Sequence, residues 1–216
     1  MNTEQARFNM IEQQIRPWDV LDTQVLDLMA TLPREQFVPE AYKSMAFADI
    51  AIPLGNGRQM MHPREEGRML QAIKPNSDER VLVLGSAGGY VSALLASLAK
   101  EVVLVDDDEA ALESIKAILS AINIRNVTTH CSDPIKGLKE QAPFDAIVVL
   151  GSMETLADDL KEQLSDKGRL FCVLGQEPTM SAVVVTKEAD QWKENSLFET
   201  RMPVIPNSPK AEKFHF

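Results

Sequence analysis

The chain has 216 residues, enough for one domain with a core of its own. Hydrophobic residues make up 44% and charged residues 25%, a balance that excludes a disordered chain. Lys and Arg number 22 against 32 Asp and Glu, and the net charge of −10 repels phosphate backbones and anionic lipid, so neither nucleic acid nor membrane is expected as a partner.

Near-apolar runs such as residues 91–99 are shorter than the ~18 residues that suggest a membrane span. The opening MNTEQ lacks the basic and apolar regions of an export signal, so a cytoplasmic protein is expected. Cys131 and Cys172 are too few for a disulfide framework and lie in or beside strand-like runs, which reads as buried thiols in a reducing compartment. His62, His130 and His215 show no ligand spacing with Cys or carboxylates, and no metal is expected.

Residues 1–75 read as a helical N-terminal extension with a substrate-side loop, and residues 76–216 as an α/β domain. Phe8, Ile11 and Ile15 recur at helical spacing, and Asn2 with Gln5 has the form of a capping box. Arg16-Pro17 ends that helix. A second helix follows Asp22, with Val25, Leu28, Met29 and Leu32 on one face, and Pro33 stops it. Residues 33–63 hold four prolines with Gly55 and Gly57 and read mostly as loop, a length that is usually functional.

From residue 80 strands alternate with amphipathic helices. Residues 80–84 (RVLVL), 101–105, 126–130, 144–150 and 169–174 are strand-like, with helices over 91–98, 111–122 and near 156–164. This alternation predicts right-handed crossovers and a doubly wound, mostly parallel sheet covered on both faces. Residues 182–187 and 197–202 add two strands without a strong helix between them, so an antiparallel hairpin closes one edge of a seven-stranded sheet. The tail from Pro206 to Phe216 is either loose or docked through Phe214 and Phe216.

In such a sheet ligands lie beyond the carboxyl ends of the strands. The first strand runs into Gly85, Ser86, Ala87, Gly88 and Gly89, a turn that brings backbone amides close to a ligand. Asp106 ends the next strand, where a carboxylate can take both hydroxyls of a ribose; the alternative is a solvated Asp106-Asp107-Asp108 run. Ala87 and Tyr90 stand where a dinucleotide fingerprint needs glycine, which argues against NAD or FAD. S-adenosylmethionine has no pyrophosphate to cradle and tolerates a looser turn. Ser132 and Asp133 either face its adenine or cap the segment that begins at Pro134.

Several segments carry a resemblance. Residues 33–40 (PREQFVPE) match PRE-x-FVPE, and 46–49 (AFAD) with 52–55 (IPLG) match AY-x-D…PIG. Residues 57–63 (GRQMMHP) fall on GQTISQP, 81–90 (VLVLGSAGGY) on VLEIGTGSGY, and 142–145 (APFD) on AP-[YF]-D. Over roughly residues 4–175 the chain resembles the protein-L-isoaspartate (D-aspartate) O-methyltransferase family, of the Rossmann-like class I S-adenosylmethionine-dependent fold. The resemblance implies methylation of the free carboxylate of isoaspartyl residues in damaged proteins. It places Gly85, Ser86, Ala87, Gly88, Gly89, Asp106 and Asp107 around the methionine and ribose parts of the cofactor, with Ser132 and Asp133 near adenine. Arg58, Gln59, Met61 and His62 would border the acceptor.

Three positions depart from the family pattern. Its strand-end Glu is Val83, its second turn glycine is Ala87, and the Thr and Ser of GQTISQP fall at Gln59 and Met61. A thioether cannot replace a hydroxyl toward a carboxylate. Arg58, Gln59 or His62 takes that role, or they decorate a solvent loop. Isoaspartyl methylation, methylation of another carboxylate or small acceptor, and cofactor binding without turnover all stay open. Methylation of nucleic-acid bases is disfavoured, because Leu150-Gly-Ser-Met-Glu154 stands where [ND]-P-P-[YFW] would follow the fourth strand.

Overall fold

The computed structural model describes residues 2–188 and 191–211; the expectations for His215, Phe214 and Phe216 fall outside them. Helix α1 (Thr3–Met10) starts where the Asn2 side chain accepts from the Glu4 amide at 3.0 Å. Gln5 does not complete a capping box; its side-chain amide donates to Asn9 instead. A π turn over Ile11–Ile15 and a 3-10 turn over Arg16–Trp18 follow. The widened turn resets which side faces inward, so Met10, Ile11 and Ile15 are buried while Phe8 is 59% exposed. Helix α2 (Thr23–Thr31) is capped by Asp22 and buries Val25, Leu26 and Met29.

The stretch expected to be mostly loop contains a hairpin, β1 (Ile52–Gly55) and β2 (Arg58–Met60). Asn56 and Gly57 turn it with φ of 50° and 73°, the double left-handed geometry that an Asn-Gly pair allows. Helix α3 (Pro63–Ile73) follows, and here a capping box does form, between His62 and Glu65.

The main sheet holds β3 (Arg80–Leu84), β4 (Glu101–Asp106), β5 (Val127–Cys131), β6 (Phe144–Met153), β7 (Leu164–Gln176), β8 (Thr179–Glu188) and β9 (Gln191–Glu199), in the order β5-β4-β3-β6-β7-β8-β9. The first five are parallel, and β8 and β9 are antiparallel. Helices α4 (Tyr90–Ala96) and α5 (Glu109–Ala121) make the crossovers on one face. The expected helix near 156–164 is a single turn, α6 (Asp158–Lys161), because the chain enters β7 by Leu164. The last strand lies earlier than the expected 197–202, and residues 200–206 run on as an irregular strap.

Successive residues of a strand face opposite sides. Val81, Val83, Val102, Leu104 and Val148 pack with α4, α5 and buried residues from the first 75, including Ile15, Met29, Phe37 and Ile52. Leu82, Leu84, Val103, Val105 and Val149 pack on the other face with Leu160 and Leu164. The central strands β3, β4 and β6 are therefore buried along nearly their whole length, as a sheet covered on both faces requires, while the edge strands β5 and β9 are more polar and exposed. Among the described residues no helix is long and apolar enough to cross a membrane.

Candidate functional site

The sheet starts at its centre with β3, runs outward to β5, and returns to β6 on the other side of β3. Strand order reverses there, and a cavity of about 450 Å³ opens at the carboxyl ends of β3, β4 and β6. Gly85, Ser86 and Ala87 line it from β3, Asp106 and Asp107 from β4, and Leu150 and Gly151 from β6. The hairpin contributes Asn56, Gly57, Arg58 and Gln59, Pro134 follows β5, and residues 203–206 of the strap complete the lining.

The turn after β3 needs its glycines. Gly85, Gly88 and Gly89 all have φ near +80°, and a Cβ on Gly89 would meet Ile115 Cγ2 at 2.7 Å. Ala87 also sits at φ 38°, an uncommon conformation for a residue with a side chain. Gly85 has no room for a Cβ without pressing on the Leu150 carbonyl oxygen at 3.1 Å. The turn at the floor of the cavity is thus packed tightly against β6 and α5.

Asp106 is buried, 2% exposed, and organises this floor. Its Oδ2 accepts from the Ser86 amide at 2.6 Å and its Oδ1 from the Asp108 amide at 2.9 Å, while Arg58 Nη2 lies 3.0 Å from Oδ1. Arg58 also pairs with Asp107 and, at 2.7 Å, with Asp108. Burial works against the Arg58 charge, but the three aspartates outweigh it and raise its pKa. The Asp108 carboxyl is held below its usual range by the Ala111 amide and by Arg58. Asp106 is neither free nor solvated: a carboxylate has about four acceptor positions, and three are taken.

The strap forms one wall. The Ser152 amide donates to the Pro203 carbonyl at 2.8 Å and the Ile205 amide to the Ser152 carbonyl at 2.9 Å. Ser152 Oγ donates to the Met202 carbonyl, and Ile205 lies so close over Gly151 that a Cβ there would meet it at 2.4 Å. At one end Thr200 Oγ1 donates to Glu65 at 2.7 Å; at the other Asn207 donates to Asp133 at 3.3 Å.

Behind the site a buried pair fixes the irregular segment. Arg34 is fully buried and grips Glu66 with two nitrogens, at 2.9 and 3.1 Å. The same guanidinium donates to the Ala46 carbonyl at 2.6 Å and the Met61 carbonyl at 3.0 Å. Burial pushes the Glu66 carboxyl up, with Arg34 opposing. Arg34 lies over the Tyr90 ring and Phe37 meets that ring edge-on, so residues of the PREQFVPE segment brace the helix that follows the glycine turn.

The expected site residues separate into two groups. Gly85, Ser86, Ala87, Asp106, Asp107, Arg58 and Gln59 converge on the cavity. Gly88 faces a neighbouring cavity of about 400 Å³, and Gly89 is buried under Ile115. Ser132 donates its amide to the Asp106 carbonyl, and Asp133 caps Ile135 and holds Asn207. Met61 is 1% exposed and part of the core, and only its carbonyl is used, by Arg34. His62 caps α3 and pairs with Glu65 Oε2 at 3.1 Å; its pKa is raised, chiefly by that hydrogen bond and against partial burial. The strap went unread in the sequence, since the pairing of Ser152 with residues fifty positions later leaves no local pattern.

A family model for protein-L-isoaspartate(D-aspartate) O-methyltransferase matches residues 5–206. A protein-L-isoaspartate O-methyltransferase of Roseiflexus sp. (strain RS-1) is 33% identical over 205 residues, 94% of this chain and 92% of that one. Another, from Anaeromyxobacter sp. (strain Fw109-5), is 37% identical over 200 residues, 92% of this chain and 82% of its own. Two solved structures share the fold at a TM-score of 0.78. One, a protein-L-isoaspartate O-methyltransferase, is 21% identical; the match covers 93% of this chain and 65% of that one. The other, a Plasmodium falciparum protein of the same type in complex with S-adenosyl-L-homocysteine, is 15% identical, with 96% of this chain and 100% of that one covered. With the match running through the irregular N-terminal segment as well as the sheet, this chain belongs to the protein-L-isoaspartate(D-aspartate) O-methyltransferase family.

Proposed function

We propose that this chain is an S-adenosylmethionine-dependent carboxyl methyltransferase that acts on L-isoaspartyl residues of damaged proteins, a repair reaction. The observation that carries this reading is the cavity at the sheet's switch point, set in a chain that matches the family from residue 5 to 206. Its volume of about 450 Å³ falls in the usual range for small-molecule sites. The turn 85–87 lines the cavity, and the aspartates exceed the single arginine among its charged lining, which suits a cationic sulfonium.

Asp106 and Asp107 would hold the ribose, with the turn 85–87 beneath the methionine part and Pro134 beside adenine. Asp107 is exposed and reachable at once; Asp106 becomes available as Arg58 shifts its weight to Asp107 and Asp108. The bound cofactor supplies a methyl group that is already electrophilic. A carboxylate near pKa 4 is ionised at pH 7, so the chain has no proton to remove from the acceptor. Its task is to orient the carboxylate and to exclude water, and the hairpin and strap are placed for both. Residues 1–75 supply the substrate-side cover. Of the two thiols expected to be buried, Cys172 is, while Cys131 at the end of the edge strand β5 is exposed; two cysteines without a disulfide framework still favour a reducing, cytoplasmic setting.

A second reading, methylation of a different carboxylate, is favoured by one observation: Met61, at the family's serine position, points into the core. Labelled S-adenosylmethionine tests both. Base-labile incorporation into an isoaspartyl peptide, with methanol released at alkaline pH, supports repair. Calorimetric binding of S-adenosylhomocysteine without any incorporation into that peptide overturns it.

A further inference from the structure

Besides the cavity that Gly88 faces, a further one of about 400 Å³, on the side of the β7–β8 turn, adjoins the first and shares Gln59, Pro203 and Val204 with it. Gly175, Gln176, Glu177 and Met180 line it from the β7–β8 turn, with Glu154, Arg201 and Met202. Only two basic side chains line the two cavities, Arg58 and Arg201. Arg58 is committed to three aspartates. Arg201 is exposed, and among the described residues no carboxylate lies within 4.0 Å of its guanidinium. Gln59 Nε2 donates to the Arg201 carbonyl at 3.4 Å, and the neighbouring Thr200 is pinned to Glu65. The backbone that carries Arg201 is therefore anchored beside the cofactor cavity while its charge is unspent.

We propose that Arg201, with Gln59 beside it, receives the acceptor carboxylate in this further cavity. The proposal deepens the carboxyl-methyltransferase reading and rests on it. An anionic acceptor approaching a chain of net charge −10 needs a local cation. Glu154 and Glu177 line the same cavity and repel an anion, which leaves the guanidinium as its one charged anchor there. A guanidinium can hold both carboxylate oxygens and fix their direction. The methyl ester carries no charge, so the group that captures the acceptor has little hold on the product. The role left vacant at Met61 is thus taken from the strap.

The test is steady-state kinetics of Arg201→Ala and Arg201→Lys with an isoaspartyl peptide, with S-adenosylhomocysteine affinity as the check on folding. Arg201→Ala should raise KM about 10- to 100-fold, the loss expected for a charge-assisted contact, with kcat within about twofold. Arg201→Lys should fall between the two, since it keeps the charge and loses the fork. Inhibition by the peptide methyl ester should not change in either variant. An unaltered KM in Arg201→Ala, with wild-type turnover intact, overturns the proposal and leaves the repair reading standing. Should the wild-type protein methylate another carboxylate peptide and not the isoaspartyl one, the repair reading fails, and the same KM shift on that peptide sustains the role of Arg201. A wild-type protein that methylates no carboxylate overturns both.

Discussion

The first 75 residues and the seven-stranded sheet are held together by different physics. The centre of the sheet is apolar on both faces, and its strands are placed by apolar packing on each side. The N-terminal segment has only short 3-10 turns between Pro33 and the hairpin, and two carbonyls, of Ala46 within it and of Met61 just past the hairpin, are held by a buried guanidinium. Apolar packing tolerates exchange of one side chain for another of like size. A bidentate grip with two further carbonyl contacts does not. That contrast accounts for a recognisable signature, PREQFVPE, in the irregular region.

The largest test of this contrast is Arg34→Ala. Removing one partner of a buried pair leaves Glu66 without its counter-charge and two carbonyls bare, an expected loss of about 3–5 kcal/mol in denaturant unfolding. Replacing both partners, as Arg34→Met with Glu66→Leu, should recover part of that stability. It should not recover cofactor affinity, because the Ala46 and Met61 carbonyls still lack their donor and the hairpin loses its anchor. Full recovery of both would show that the pair only fills space.

On the sheet side, Gly89→Ala sharpens the comparison. The new Cβ meets Ile115 at 2.7 Å on a backbone held at φ +84°, and overpacking of this kind costs about 1–3 kcal/mol. In an Ile115→Ala background, which lacks both Cγ atoms that the new Cβ strikes, Gly89→Ala should cost less; such volume compensation has no counterpart at Arg34.

Legibility in the sequence divides along the same line. Strands β3 to β8, α2, α5 and the glycine turn were readable because periodicity is local, whereas β9 (Gln191–Glu199), with few buried residues, was placed too late; Gly85 to Ala87, Asp106 and Asp107 do converge on the cavity. The hairpin carried a signal, Asn56-Gly57 between Leu54 and Met60, that the surrounding prolines obscured. The burial of Met61 and the commitment of Arg58 depend on Arg34 and on the aspartates fifty residues away, and no spacing rule reaches them. Arg201 was invisible for the same reason: what matters about it is its place in a cavity that adjoins the first.

A smaller effect is expected where the two regions touch through Arg58. In Arg58→Gln, Asp106 is released from its cation and the cavity becomes more negative. S-adenosylmethionine should then bind several-fold more tightly, about 0.5–1 kcal/mol for a partly exposed pair, as isothermal calorimetry would read. S-adenosylhomocysteine, which lacks the sulfonium charge, should gain less. Weaker binding of both would mean that the arginine shapes the wall of the cavity more than it occupies the acid.

The smallest effect is expected at His62, where the start of α3 and the strap meet through Glu65. The folded protein holds the imidazole above its ordinary value of about 6.5. A group whose pKa is raised on folding contributes stability in its protonated form. That contribution is complete below the unfolded value and is lost as pH rises through the folded one. His62→Gln keeps a polar cap and removes the titration. The stability difference between wild type and this variant should therefore be greatest below about pH 6.5 and shrink steadily on the alkaline side. Thermal unfolding across that range reads it directly, and a difference that grows with pH would mean that the ring is held neutral, accepting rather than donating at Glu65.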